Sequence, residues 1–185
     1  YVRGFLGRML FAGEDGVAAV SIIMYLQFLC IGIYFGFSMG LSTPLGYAYG
    51  DRNFSVCRVL EKYAYRFFAI APIILYGCTY LLTPIGVRFF ASPGSTVFNM
   101  AVSGMRLYGL GFLFSGINIF AAIRMMTYGK GYISGMITFL RSFALLLLFL
   151  TVLPRFLELN GIWLAVPAAE ILTLIVALWT LRKKL

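Results

Sequence analysis

Three polar side chains lie inside long apolar stretches of this sequence, where each would be costly to bury without a partner. Arg141 is the only charged residue between positions 131 and 153, and Glu170 is the only one between positions 161 and 181. Asn118 lies in the apolar stretch before them. Buried charges of this kind can hold a coupling ion or act as a conformational switch, or they can form a static pair that fixes helix register. Both interpretations stay open for Glu170 and Arg141, with Asn118 as a third member of the site.

The sequence offers little other chemistry. It has no histidine, and its three cysteines, Cys30, Cys57 and Cys78, lack the CxxC spacing of a metal site. No P-loop, HExxH or GxSxG motif occurs. We therefore predict that the chain is not an enzyme and has no catalytic residue, no metal centre and no organic cofactor.

Five apolar stretches must position the polar side chains, because each can cross about 30 Å of hydrocarbon as a helix. The chain is 62% apolar and 11% charged, whereas ordinary globular domains are about 25% charged. We predict an all-α polytopic transmembrane bundle, a single transmembrane domain over residues 1–185, with the lipid bilayer as partner and no nucleic acid despite the net charge of +9. The predicted spans are about 17–49, 67–87, 97–127, 131–153 and 161–181, and residues 1–13 are predicted to end a truncated preceding helix.

Depth in these spans separates the charged residues into two groups. Arg141 and Glu170 should lie at similar depth on consecutive antiparallel helices, since each is about three turns from the same side of the bundle. Arg106 and Arg124 lie near enough to helix ends to extend their charges to the interface, so we predict no role for them. Glu170 is then the only deep carboxylate that this sequence offers.

Glycines recur every fourth residue on the first span, at Gly32, Gly36 and Gly40. This spacing places them on one helix face, where a neighbouring backbone can approach closely. We predict helix packing on this face, with passage of a substrate along the groove as the alternative.

Basic residues are distributed unevenly between the two ends of the predicted spans. One set of ends carries nine, and the other carries four, which are Arg3, Arg8, Arg88 and Arg155. Because cytoplasmic segments are enriched in Lys and Arg, we predict a multi-pass protein of the cytoplasmic membrane with its C-terminus in the cytoplasm. The nine are Arg52, Arg58, Lys62, Arg66, Arg124, Lys130, Arg182, Lys183 and Lys184.

Three groups of residues resemble the multidrug and toxic compound extrusion (MATE) family, closest to its MepA-like clade. The first is 16–22 (GVAAVSI) with 47–51 (YAYGD), and the second is 106–108 (RLY) with 116–119 (GINI). The third and most specific comprises 129–131 (GKG), Ser134, 139–141 (FLR), 153–154 (LP) and 159–170 (LNGIWLAVPAAE). Together they extend over nearly the whole chain.

That resemblance implies the C-terminal six-helix lobe of a two-lobed transporter that works by alternating access. It implies export of small organic cations or drugs in exchange for sodium or protons, together with a missing N-terminal lobe of the same polypeptide. Other clades carry coupling carboxylates on helices seven and ten, but residues 97–127 contain no Asp or Glu, which leaves Glu170 as the candidate. The alternatives are a lipid-linked flippase of the same superfamily and a non-transporting membrane scaffold subunit.

Overall fold

The computed structural model describes residues 13–182, which form five long helices joined by short turns. In chain order they are α1 (Gly13–Gly50), α2 (Phe54–Arg88), α3 (Thr96–Thr127), α4 (Gly131–Val152) and α5 (Pro154–Arg182). All five are long and apolar enough to cross a membrane. The predicted all-α transmembrane bundle is therefore confirmed for this part of the chain.

Helix α3 is the centre of the bundle, being the most buried helix and in contact with all four others. Its glycines explain how the neighbours come so close. A Cβ atom on Gly104 would lie 2.8 Å from side-chain atoms of both Ile23 and Trp163, and one on Gly116 would lie 2.7 Å from Phe68. No methyl group fits at these distances, so the missing side chains let α1, α2 and α5 pack directly against the α3 backbone.

Helix α4 is the least buried of the five and is joined to α5 by a tight connection. Glu158 adopts φ 50° and ψ −127°, which separates the first turn of α5 from the main helix. A Cβ atom on Gly161 would lie 2.5 Å from the carbonyl carbon and oxygen of Leu153. Only glycine allows this close return of the chain, which is the physical reason for a glycine in the 159–170 motif.

Two helices begin earlier than the apolar stretches suggest. Helix α2 begins at Phe54, before the membrane span predicted from 67, and α5 begins at Pro154, before the membrane span predicted from 161. Counting charge-free residues excluded the start of α2, but its basic residues Arg58, Lys62 and Arg66 are exposed on the helix surface and do not interrupt the backbone hydrogen bonds. The predicted preceding helix, 1–13, lies outside the described residues except for Gly13, where α1 begins.

The glycine face of α1 does not pack against another helix of the described chain. Gly32, Gly36 and Gly40 are exposed, and no heavy atom of residues 13–182 outside their own helix lies within 4 Å of a Cβ built on any of them. The glycines that support close packing in this structure include Gly104 and Gly116 of α3 and Gly161 of α5. The stripe instead leaves a shallow outer face on α1.

Candidate functional site

The three polar residues singled out by the sequence lie together in the middle of the bundle. Arg141 Nε on α4 donates to Glu170 Oε1 on α5 at 2.6 Å. Asn118 on α3 donates its side-chain amide to Glu170 Oε2 at 2.6 Å and to the Glu170 carbonyl oxygen at 2.9 Å. Glu170 is 4% exposed and Asn118 is fully buried. Both carboxylate oxygens are therefore occupied, one by a cation and one by a neutral donor.

A cavity of about 190 Å³ lies against this ion pair. Helices α1, α3, α4 and α5 all contribute to its wall, and its polar lining is Gln27, Tyr108, Ser115, Arg141, Ser142 and Glu170. The Tyr108 hydroxyl donates to Gln27 Oε1, which links α3 to α1 across the cavity. The cavity exceeds the roughly 30 Å³ that one water molecule takes up in the liquid, so the pair faces space that a small ligand could enter.

Irregular segments of three helices, α3, α4 and α5, lie beside this cavity. Gly109–Gly111 of α3 forms a 3₁₀ turn, and Leu140–Ala144 of α4 forms a π-helical turn that carries Arg141. On α5, Pro167 has no backbone N–H to continue the helical ladder and lies against Gly111. Such breaks are frequent at functional sites because they free the backbone to move.

The arrangement has two ways to change state. A proton on Glu170 would remove the charge that holds Arg141, and a cation entering the cavity would compete with the guanidinium for the same carboxylate. Either event would weaken the contact between α4 and α5. A buried pair beside a cavity can thus couple occupancy to helix position.

A second buried ion pair lies outside the cavity, near the start of α2 and the end of α3. Arg124 Nε pairs with Glu61 Oε1, and the Tyr128 hydroxyl donates to the same oxygen at 2.6 Å. The Arg124 guanidinium also lies over the Tyr128 ring, 5.0 Å from its centroid. Arg124 is 2% exposed and Glu61 is 8% exposed.

This cluster corrects one prediction from the sequence. Arg124 does not extend to the interface but is buried in a pair with Glu61, a carboxylate that the sequence did not single out. Glu61 lies next to Lys62 in a basic segment, which made it resemble a solvated surface charge. The one available signal was the i, i+4 spacing of Arg124 and Tyr128, which puts both on one face of α3.

Most of this chain matches a known protein family. The sequence profile of the MatE family matches residues 2–153 of the chain. The chain belongs to the MatE family. No curated protein matches it, and the MepA-like clade stays a prediction.

Solved transporters share the fold of this MatE chain. An outward-facing multidrug resistance MATE family transporter of the MOP superfamily matches with a TM-score of 0.82 and 21% identity, over 96% of this chain and 40% of the other. An inward-facing transporter described in the same words matches with a TM-score of 0.83 and 20% identity, over 96% of this chain and 42% of the other. The Vibrio cholerae MATE transporter VcmN, crystallised as a point mutant, matches with a TM-score of 0.85 and 19% identity, over 95% of this chain and 40% of the other. The chain thus spans about 40% of the length of these structures.

The MatE match covers only part of the candidate site. Asn118 and Arg141 lie within residues 2–153, whereas Glu170 lies beyond them. Glu170 therefore enters the site through the geometry of this structure and not through the family match. No group of three His, Cys, Asp or Glu side chains that could hold a metal ion occurs in residues 13–182.

Proposed function

We propose that this chain is the C-terminal lobe of a secondary active antiporter that exports small organic cations or drugs by alternating access. A sodium or proton gradient would drive the export, and an N-terminal lobe of the same polypeptide would supply the other half of the substrate path. The protein would reside in the cytoplasmic membrane with its C-terminus in the cytoplasm. Membership of the MatE family and the 40% coverage of transporters with the same fold support this proposal.

The observation that carries the proposal is the Arg141–Glu170 pair beside the cavity. Removing two charges from water costs several kcal/mol per ion, and a static lobe could replace them with apolar side chains at little loss. In a lobe that changes conformation, by contrast, an ion pair such as Arg141–Glu170 can separate in one conformation and re-form in the other. We propose that Glu170 exchanges a proton or a sodium ion, and that Arg141 and Asn118 respond to the exchange.

Similarity to both conformations supports rigid-body movement of the lobe. The fold matches outward-facing and inward-facing transporters with TM-scores of 0.82 and 0.83 over the same 96% of the chain. A lobe whose helices rearranged extensively would favour one state. Alternating access in transporters with repeated lobes largely takes the form of one lobe rocking against the other.

Transport itself tests the proposal. The complete polypeptide that contains this chain, reconstituted in liposomes loaded with ethidium, should release the dye when an inward sodium or proton gradient is applied. Release should saturate with dye concentration and stop when an ionophore collapses the gradient, with empty liposomes as the control. Release that is the same with and without either gradient would rule out an antiporter.

Membrane orientation gives a second test. In a cysteine-free background, Ser92→Cys in the α2–α3 turn and Lys130→Cys in the α3–α4 turn place exposed thiols at opposite ends of the bundle. A membrane-impermeant maleimide added to intact cells should label position 92, and position 130 should react only after permeabilisation, because the basic ends stay in the cytoplasm. The reverse pattern would overturn the orientation.

A further inference from the structure

Three basic side chains form a stripe along the first third of helix α2. Arg58, Lys62 and Arg66 are all exposed, and each follows the one before by four residues, which places them on one helix face. At 1.5 Å per residue, this basic stripe extends over about 12 Å of the helix axis. None of the three side chains makes an ion pair or a hydrogen bond within residues 13–182. Their charges are therefore available to a ligand outside the described chain.

The basic stripe faces away from the rest of the lobe. In the same segment, α2 packs against α1 and α3 through a buried face made of Cys57, Glu61, Ala64 and Phe68. Successive helical residues turn by about 100°, so the centre of the basic stripe lies roughly 130° around the helix from the centre of that buried face. The three charges thus lie on the outer surface of the bundle, where a membrane lipid can reach them.

Acidic side chains of this chain do not neutralise the basic stripe. Of the six carboxylates in the sequence, three lie at the opposite end of the bundle, and two are held in the buried ion pairs of Glu61 and Glu170. The sixth is Asp51 in the α1–α2 turn, which makes no ion pair within residues 13–182. The three at the opposite end are Glu14, Asp15 and Glu158.

The outer face of α2 becomes apolar immediately beyond the basic stripe. Ile70 and Ile73 lie four and seven residues after Arg66, so they continue the same face, and they are 60% and 67% exposed. A phospholipid has the same order of polarity, with a phosphate headgroup followed by acyl chains. Long basic side chains extend toward headgroups while their stems stay among apolar groups, and basic segments beside a membrane span attract anionic lipids.

We propose that the basic stripe of α2 binds the headgroup of an anionic phospholipid, whose acyl chains lie along Ile70 and Ile73. This interaction surface goes beyond the proposed antiport and does not depend on it. A general attraction to a negative membrane surface would act alike on every basic side chain at this end of the bundle, whereas the stripe gathers three charges beside an exposed apolar face. An acidic soluble partner would match the charges but not the isoleucines.

Lipid binding to the complete polypeptide tests the proposal. The protein in detergent micelles is titrated with phosphatidylglycerol or with phosphatidylcholine, and the bound lipid is counted by native mass spectrometry. The affinity for phosphatidylglycerol should be higher by about tenfold or more, and the difference should shrink as sodium chloride is added, because salt screens exposed charges. Arg58→Gln, Lys62→Gln and Arg66→Gln should each weaken phosphatidylglycerol binding by about fivefold. The triple variant should bind both lipids alike.

Two controls separate the stripe from the total charge. Lys130→Gln removes the same charge from an exposed position at the same end of the bundle, in the α3–α4 turn. It should weaken phosphatidylglycerol binding by less than about twofold, because the position lies outside the stripe. Arg58→Lys combined with Arg66→Lys keeps all three charges and should retain the preference for phosphatidylglycerol. The single variants carry the test if the triple variant does not fold.

Three results would overturn the lipid site. Equal affinity of the unmodified protein for the two lipids would show that the stripe does not select an anionic headgroup. Equal losses in Lys62→Gln and Lys130→Gln would reduce the effect to general attraction. Complete displacement of phosphatidylglycerol by glycerophosphoglycerol, its water-soluble headgroup, at equal concentration would show that the apolar face adds nothing and that the stripe takes a soluble phosphate compound instead.

Discussion

If the proposed antiport is correct, Glu170→Gln in the complete polypeptide should reduce gradient-driven efflux to the background of empty liposomes. Glutamine preserves the shape of the side chain but removes the charge that Arg141 and a coupling ion would share. It also leaves a buried guanidinium without its counter-ion, at a cost of up to about 3–5 kcal/mol. We therefore expect a lower unfolding temperature together with the loss of efflux, measured on the same purified sample.

A second substitution separates the two effects. Combining Glu170→Gln with Arg141→Leu removes the stranded charge, so the unfolding temperature should recover while efflux stays absent. Glu158→Gln is the matched control, because Glu158 is an exposed carboxylate on the same helix. Recovery of efflux in the double variant would make the pair purely structural, and a Glu170→Gln protein with full stability and full efflux would remove the site from the mechanism.

The membrane made part of this site predictable from sequence. Hydrocarbon penalises unpaired charge so strongly that Arg141 and Glu170 stand out within apolar stretches, and the antiparallel order of consecutive spans places them at one depth. The structure brings both of them, and the predicted third member Asn118, within hydrogen-bond distance of one another through Glu170. Their role in coupling stays a prediction.

Other features depended on packing that no local pattern reports. Glu61 and Arg124 are far apart in sequence, and each lies near the end of an apolar stretch, where a charge usually reaches the interface. Tyr108 and Ser115 resemble ordinary residues of an apolar helix until the cavity between four helices is seen. The stripe at Gly32, Gly36 and Gly40 meets no neighbouring helix within residues 13–182, so packing on this face stays a prediction that regular spacing alone cannot decide.

The Glu61–Arg124 pair should be the main electrostatic support of the lobe. Glu61→Gln leaves Arg124 buried without a counter-ion, and Arg124 Nη1 already lacks a partner among residues 13–182. We expect a loss of about 3–5 kcal/mol in the free energy of unfolding, seen as a large fall in unfolding temperature. Lys62→Gln, at the exposed neighbouring position, should change stability by less than about 0.5 kcal/mol.

The double variant Glu61→Leu with Arg124→Leu then decides between support and switching. Two apolar side chains of similar length can replace a buried pair with little loss, so stability should return close to that of the unmodified protein. Efflux should return with it, because the pair lies among the packed residues of α2 and α3 and does not line the cavity at Glu170. A stable double variant without efflux would contradict a supporting role and would make Glu61 and Arg124 a second moving site, since the loss could no longer be assigned to unfolding.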